Sequence, residues 1–323
     1  MQPTFLVVAP TYTHRSAGVR ALYRLCHHLN AAGYRAAMTP LSDRIDKLPV
    51  WFTPLHTGPV GDGLVIYPEI VSGNPLNASK VVRWTLNNPG LLGGDTFYPD
   101  DEMVFVFNPT RLGLVSKSVN IPLGPNRILS VALIDPAFIY PDPRVPKTID
   151  CYFVHKGHSL RAKHPLPNEA ALQQLEALTP NMESLGKLLR RTRTLYCYDH
   201  ASTVLKEAKI CGCEVLVMHE DGELRDPETC GCPYNVFWGG RFRENYARGF
   251  HDSSFVHTFV AELRTRWDVP DPMHFAGTRR IYLSSVATVR AAVSRFASIG
   301  RATLTRLRRR AEPRLSQSPD PEE

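Results

Sequence analysis

The stretch TLYCYDHASTVLKEAKICGCEVLVM, residues 194–218, contains the pattern that decides the fold. Its two ends, Thr194–Cys197 and Glu214–Met218, are short apolar runs that predict buried strands. Residues 202–211 between them predict a helix, and Gly212 follows as the glycine that ends it. A strand, a helix and a strand in this order predict an α/β fold with a mostly parallel sheet.

The N-terminal part of the chain has the same order of elements. Residues 5–10 (FLVVAP) predict a strand, residues 19–33 a helix that stops at Gly33, and residues 34–40 a second strand. Further strands are predicted at Leu64–Tyr67, Val81–Leu86, Met103–Phe107 and Ile128–Ile134. This part therefore predicts a first α/β unit.

A proline-rich segment, residues 135–150, interrupts the pattern and is the predicted linker. A second α/β unit begins after it with a strand at Cys151–Val154 and a helix over residues 168–191. A chain of 323 residues is long enough for about two domains. We expect domains at 1–145 and 146–285, followed by a tail at 286–323.

The positive charge of the chain belongs to one segment. Eight of the 38 basic residues and one of the 31 acidic residues lie at 290–314, which leaves the rest of the chain with 30 of each. A nucleic-acid-binding surface is not expected to partition its charge in this way, so we predict no nucleic-acid partner. The start of the chain has no signal-peptide pattern, and no apolar stretch approaches the ~20 residues of a membrane span. We expect a cytoplasmic protein.

Two CGC triplets, at 211–213 and 230–232, suggest a metal site. Zinc ligands usually have wider C-x₂₋₄-C spacing, and the first triplet surrounds the glycine expected to end a helix. Its cysteines are therefore predicted to be small buried residues, while the second triplet has no such explanation. The alternative is a non-catalytic interaction protein that binds zinc through the cysteines of 197–232 and an acidic partner through the basic tail.

Asp199 and Glu207 lie on either side of the predicted turn from strand to helix. From the residues alone, Asp199 or Ser202 can be a plain helix N-cap and Glu207 a solvated helix residue. The other interpretation is that the start of the helix binds a diphosphate while the two acids accept hydrogen bonds from sugar hydroxyls.

The stretch YCYDHASTVLKEAKICGCEVLVM resembles an element of GT-B glycosyltransferases, specifically the family 4-like enzymes of bacterial surface polysaccharide (lipopolysaccharide, O-antigen or capsule) synthesis. Their C-terminal domains have an acid, seven residues and a glutamate, then small residues and CG before an apolar strand. The loop TYTHRSAG and the lysine-bearing loop HKGH (155–158) resemble further parts of these enzymes. The resemblance covers most of residues 5–218, and its specific part is 196–218.

The resemblance implies two Rossmann-like domains that face each other across a cleft, with the donor on the C-terminal one. Glu207 would bind the nucleotide ribose, Asp199 would contact the donor sugar, and Lys156, with Arg161 or Lys163, would neutralise the diphosphate as it leaves. The expected donor-binding residues are Lys156, Arg161, Lys163, Tyr198, Asp199, His200, Ala201, Ser202 and Glu207, and the expected catalytic residues are Asp199, Glu207 and Lys156. The first acid is Asp where the family usually has Glu, which shortens its reach.

The acceptor would lie against the first domain. Its expected contacts are His14, Arg15, Ser16, Gly18, Arg83 and Trp84, although strand packing explains Trp84 equally well. The first βα turn lacks the glycines of a dinucleotide site, and no Walker A lysine or DxD metal motif accompanies the acids. We therefore expect no cofactor and no metal, with a nucleotide-sugar as co-substrate; retention of configuration is implied by the resemblance alone.

The segment 286–323 is predicted to form an amphipathic helix and a flexible tail. Apolar residues recur every three or four positions between 289 and 307, and arginines occupy the other face. Such a helix either packs on the protein or binds anionic lipid headgroups. We expect attachment to the cytoplasmic face of the inner membrane through residues 290–314, which suits a glycan or lipid-linked acceptor.

Overall fold

The computed structural model describes residues 4–41, 44–230 and 241–273. In these residues the chain is a mixed α/β structure with two five-stranded sheets in which parallel pairing predominates. The predicted α/β class is therefore confirmed. Within the same ranges, no helix is both long enough and apolar enough to cross a bilayer. The predicted amphipathic helix of 286–323 lies outside them.

The two halves of the chain each begin with a strand. The first half contains β1 (Phe5–Val8), α1 (Ala17–Ala31), β2 (Ala36–Thr39), β3 (Leu64–Pro68), β4 (Lys80–Thr85), β5 (Glu102–Val106) and α2 (Leu112–Val115). The second half contains β6 (Ile149–Phe153), α3 (His158–Lys163), β7 (Gln173–Gln174), α4 (Leu175–Leu178), α5 (Met182–Arg191), β8 (Thr192–Cys197), α6 (Val204–Ile210), β9 (Glu214–Met218), β10 (Leu224–Arg225), α7 (Phe242–His251) and α8 (Phe255–Leu263). Short 3-10 helices lie at Pro109–Arg111, Ser116–Ser118, Pro125–Arg127 and Glu169–Ala171.

Both sheets are wound in the same way. The first has the order β2-β1-β3-β4-β5, and the second, in the same sense, β7-β6-β8-β9-β10, with only β10 antiparallel to its neighbour. The chain therefore reverses the direction in which it adds strands between β1 and β3, and again between β6 and β8. In open parallel sheets, ligands bind outside the carboxyl ends of the strands at such a reversal.

Apolar runs explain most of the strands. The strands β1, β2 and β3 are buried along their whole length, as parallel strands covered on both faces require. Helix α1 begins at the N-cap Ser16, whose side chain accepts a hydrogen bond from the Val19 amide, and the chain leaves it through Gly33 with a positive φ of 91°. Observed strands cover all or most of the predicted ones at 5–10, 34–40, 64–67, 81–86, 103–107, 151–154, 194–197 and 214–218, and α6 covers most of the predicted helix at 202–211.

Two predicted elements are wrong. Residues 128–134 form no strand, because Ile128 makes a single bridge to Val106 and the apolar side chains that follow are buried by packing instead of by sheet pairing. The predicted helix over 168–191 is broken at Pro180, since proline cannot supply the amide that a helix interior requires. Helix α5 restarts after it with Asn181 and Ser184 as a reciprocal capping box.

Helix α8, the last helix in the described residues, packs with the first sheet, although it follows the second sheet in the chain. Its residues Val256, Phe259, Val260 and Leu263 are buried in the same apolar cluster as Phe5 of β1. The predicted division of the chain at 145/146 stays a prediction. The predicted bounds of the second domain, 146–285, likewise stay a prediction.

Arg24 and His28 of α1 bind the end of α7 and the short link that follows it. Arg24 Nη2 donates to His28 Nε2 over 2.6 Å and also to the Phe250 carbonyl, and His28 Nδ1 lies 2.7 Å from Ser253 Oγ. A guanidinium only donates, so His28 Nε2 must accept and its proton must be on Nδ1. Burial, with the Arg24 charge second, lowers the pKa of His28 to about 3.

This neutral histidine predicts acid sensitivity. The pKa of His28 is lower in the folded state than the ~6.5 of an unfolded histidine, so the unfolded state takes up the proton first. The contribution of His28 to the free energy of unfolding is fully present above about pH 6.5. It falls by up to about 1.4 kcal/mol per pH unit as the pH drops toward the pKa of His28 in the folded state. We expect His28→Gln, which keeps an acceptor for Arg24 and a donor for Ser253, to have a shallower slope of unfolding free energy against pH.

The control is His257→Gln, at an exposed histidine of α8, measured by urea denaturation between pH 7 and 4 as for the wild type. It should keep the wild-type slope. Equal slopes for His28→Gln and the wild type would contradict the assignment of a neutral buried His28.

Candidate functional site at the facing sheet edges

The candidate site begins in the crevice between β6 and β8. His155 follows β6 and Asp199 follows β8, so the strand reversal places them side by side, with His155 Nδ1 2.6 Å from Asp199 Oδ2. The Asp199 side chain is 5% exposed and that of His155 is 28% exposed. The bond through Nδ1 leaves His155 Nε2 without a hydrogen bond to any described residue. The crevice therefore holds an oriented imidazole with one ring nitrogen available.

Asp199 is held as a charged group although it is buried. Burial acts to raise the pKa of Asp199, but the hydrogen bonds from His155 and the Ala201 amide, with the charge of nearby Lys156, bring this pKa below its ordinary value. Both carboxylate oxygens are thus engaged by the protein. The predicted contact of Asp199 with a donor sugar stays a prediction.

Glu176 fixes the backbone of the same loop. Its Oε1 accepts hydrogen bonds from the amides of Val154 and His155, at 2.8 and 2.7 Å. Its Oε2 is buried and has no hydrogen-bond partner. His155 itself adopts a positive φ of 43°, which a residue with a side chain rarely does, so the loop is held in a strained conformation that presents the ring.

Glu207 is not open to a ligand in this structure. Arg20 of α1 donates to Glu207 Oε1 over 2.6 Å, and both side chains are almost fully buried, at 3% and 2% exposure. Arg20 also donates weakly to the Leu133 carbonyl, at 3.5 Å, while its Nε is buried without a partner. The alternative that Glu207 is a solvated helix residue is wrong, because a cation from the first half covers it. Its contact with a ribose stays a prediction.

Lys156 is the predicted cation that lies at the crevice. Its side chain is exposed and its charge acts on Asp199. Arg161 and Lys163 are instead engaged elsewhere, Arg161 in a two-bond contact with Glu169 and Lys163 with Glu220. The structure thus places one of the three predicted diphosphate cations near Asp199.

The remaining predicted donor residues have local structural bonds. The Tyr198 hydroxyl donates to the His164 carbonyl, and His200 Nε2 lies 2.6 Å from the Met218 carbonyl oxygen. Ser202 Oγ accepts from the Val204 amide, the N-cap residue of α6 is Thr203, and the Ala201 amide donates to Asp199 Oδ1. These residues shape the loop around Asp199.

The predicted acceptor loop of the first half lies against α4 of the second. His14 Nε2 is 3.0 Å from the Thr179 carbonyl oxygen, and Arg15 Nη2 donates to the Glu176 carbonyl over 2.7 Å. Burial lowers the pKa of His14. Ser16 is used as the N-cap of α1, and Gly18 lies against the side chain of Leu86. These residues bring the carboxyl edges of the two sheets together.

Arg83 and Trp84 do not belong to a ligand site, and their prediction as acceptor residues is wrong. Both are 0% exposed in β4. Arg83 forms a two-bond ion pair with Glu102 and donates to the Val71 and Gly73 carbonyls. Trp84 Nε1 donates to the Leu129 carbonyl. The strand-packing explanation of Trp84 is the correct one.

Sequence reasoning missed His155, Glu176 and Arg20. The loop HKGH drew attention to its lysine, whereas the histidine follows the predicted strand 151–154 directly and so lies at its carboxyl end. That position was the available signal for His155. Arg20 and Glu176 gave no such signal, because each acts through a residue distant in the chain.

The first CGC triplet has the predicted packing role. Cys211 and Cys213 are buried in the apolar core of the second sheet, on either side of Gly212, whose φ is 79°. Burial raises the pKa of the Cys211 thiol to about 11 and that of the Cys213 thiol to about 12. In the ranges that the structure covers, no three His, Cys, Asp or Glu side chains are placed to hold a metal ion. Residues 231 and 232 of the second triplet fall outside these ranges.

No protein-family model and no curated protein matches this chain. The function therefore has to be argued from the geometry of the site.

The buried ion pair predicts a large energetic coupling between Arg20 and Glu207. Removing one partner leaves the other charge buried and unpaired, so Arg20→Met should lower the free energy of unfolding by about 3–5 kcal/mol. Arg20→Met combined with Glu207→Leu should cost much less than the sum of the single changes, because neither charge is then left alone. The measurement is the free energy of unfolding by chemical denaturation of the wild type, Arg20→Met, Glu207→Leu and the double variant.

Lys187→Met is the matched control, since the Lys187–Glu183 pair is exposed at 66% and 61%. It should cost no more than about 0.5 kcal/mol. A single Arg20 change as mild as this control would contradict the structural importance of the buried pair.

Proposed function

We propose that the chain is a glycosyltransferase of GT-B architecture that moves a sugar from a nucleotide-sugar onto a glycan or lipid-linked acceptor in surface polysaccharide synthesis. The observation that carries the proposal is the Asp199–His155 pair beside exposed Lys156, at the strand reversal where parallel sheets bind ligands. The loop of His14 and Arg15 borders the same edge from the other sheet. Two sheets of equal winding that meet at their carboxyl edges also support this architecture.

The donor diphosphate is proposed to bind at His155 and Lys156. A leaving diphosphate gains negative charge, which cationic or hydrogen-bonding groups fixed in advance stabilise. Lys156 supplies a charge, and the imidazolium form of His155, which has a proton on both ring nitrogens, donates from Nδ1 to the buried Asp199 carboxylate and from Nε2 to the diphosphate. In this proposal Asp199 positions the His155 ring for the diphosphate.

The nucleotide ribose is proposed to bind Glu207 only after Arg20 has released it. Ribose hydroxyls and the Arg20 guanidinium would compete for the same carboxylate, because Glu207 Oε1 already accepts from Arg20. Donor binding is thereby coupled to separation of α1 from α6. The covered and uncovered states of Glu207 correspond to a closed and an open cleft.

The rest of the proposal follows the resemblance. Transfer would retain the configuration of the sugar and need no metal, and residues 290–314 would hold the protein on the cytoplasmic face of the inner membrane. The acceptor would enter from the side of the first sheet.

Nucleotide-sugar binding tests the proposal directly. A panel of UDP-, GDP-, dTDP- and CMP-sugars is added to the protein in the presence of EDTA, and the melting temperature is recorded. We expect one nucleotide class to raise the Tm, since a ligand that binds only the folded state stabilises it. His155→Ala should weaken that ligand about tenfold or more, the value of a hydrogen bond to a charged group.

His257→Ala, at an exposed histidine of α8, is the control and should bind as the wild type does. If no nucleotide-sugar changes the Tm, or if His155→Ala binds with unchanged affinity, the proposed donor site is wrong.

A further inference from the structure

A second polar cluster lies at the carboxyl edge of the first sheet, away from the donor crevice. Arg111 follows β5, and its Nη1 donates to Asn87 Oδ1 over 2.7 Å and to Asn88 Oδ1, both in the loop after β4. Its Nε and Nη2 donate to no described residue and are not among the buried unpartnered atoms. The guanidinium is therefore held through Nη1, and its Nε and Nη2 remain available to a ligand.

Glu69 provides a buried carboxylate whose charge acts on this guanidinium. It follows β3 and is 3% exposed, and its Oε2 accepts from the Leu86 amide over 2.9 Å. Burial lowers the pKa of Arg111, and the Glu69 charge opposes that effect. Because the Glu69 carboxylate is buried and bonded to backbone, it stabilises the cation without meeting a ligand itself.

Three large apolar side chains are exposed on the two loops that carry Glu69 and Asn88. Its partner Asn88 begins a turn closed by the Leu91 amide at 3.2 Å from the Asn88 carbonyl oxygen, and Leu91 and Leu92 are 59% and 52% exposed. Gly94, with a φ of 77°, lets the loop approach the Glu69 carbonyl so closely that a side chain there would collide with it. This approach places the turn that carries the leucines against the backbone of Ile70, whose side chain is 44% exposed.

We propose that this edge binds an amphiphile, with a phosphate group on Arg111 and a hydrocarbon chain against Ile70, Leu91 and Leu92. A guanidinium edge with two N–H donors matches two oxygens of a phosphate. Apolar side chains exposed to water are stabilised when a hydrocarbon chain covers them. The carboxyl edge that carries this cluster is also the edge of His14 and Arg15. The inference rests on the proposed function in one respect, since it identifies the acceptor as a lipid phosphate.

Farnesyl phosphate, used below its micelle concentration, is the probe, with farnesol and inorganic phosphate as its two separated parts. Calorimetric titration of the full chain should show binding of farnesyl phosphate at least tenfold tighter than either part. Arg111→Gln should reduce affinity for farnesyl phosphate about tenfold and leave farnesol unchanged, because it removes the charged donors. Leu91→Ser should weaken farnesyl phosphate and farnesol alike.

Arg144→Gln is the matched control, at an arginine that is 87% exposed in the proline-rich segment, and it should bind as the wild type does. Arg111→Lys, which keeps the charge, should recover part of the affinity and guards against loss of the loop fold. No binding by the wild type, or equal binding by Arg111→Gln, overturns the site. So does binding that is lost only when Arg308 and Arg309 are changed to Gln, since it then belongs to the basic tail.

The nucleotide titrations separate this inference from the proposed function. Arg111→Gln should leave nucleotide-sugar binding unchanged. A wild-type protein that binds farnesyl phosphate but no nucleotide-sugar would leave the amphiphile site standing and remove the transferase proposal.

Discussion

The buried ion pair between Arg20 and Glu207 is the constraint on which the arrangement of the two sheets depends. Removing both charges from water costs several kcal/mol, and the cost is offset only while the pair stays closed. Helix α1 of the first sheet and α6 of the second are therefore held in one register. The contacts of His14 with Thr179 and of Arg15 with Glu176 become possible beside this pair. A buried ion pair is a specific connection between the two helices, and another polar group can replace either of its partners.

The equal winding of the two sheets explains why polar residues gather where they do. Each sheet has a strand reversal beside its first strand, and loops that follow neighbouring strands end at the same edge. In the second sheet this brings His155 to Asp199. In the first sheet the loops after β3, β4 and β5 bring Glu69, Asn87 and Arg111 together. The fold thus produces two polar sites of different character, one anchored by a carboxylate and one by a guanidinium.

Local sequence signals predicted most of the strands but little of the site. A run such as FLVVAP is apolar enough to specify a buried strand by itself, and Gly212 marks a helix end by its conformation alone. The identity of a partner across the fold has no local signal. Arg83 was predicted to contact an acceptor, yet it is buried in an ion pair with Glu102 on the adjacent strand. A solvated Glu207 was one interpretation of its place in a helix, yet Arg20, 187 residues away in the chain, covers it.

The burial of the cysteines determines how this protein will behave toward thiol chemistry. Nucleophilic attack and oxidation require the thiolate, and a thiol with a pKa near 11 or 12 is almost entirely protonated at neutral pH. Cys211 and Cys213 are in that condition, and burial raises the pKa of Cys197 and Cys26 as well. Among the cysteines of the described ranges, Cys230 alone is not buried. The buried cysteines will therefore resist alkylating reagents in the native chain, and their reaction will report its unfolding.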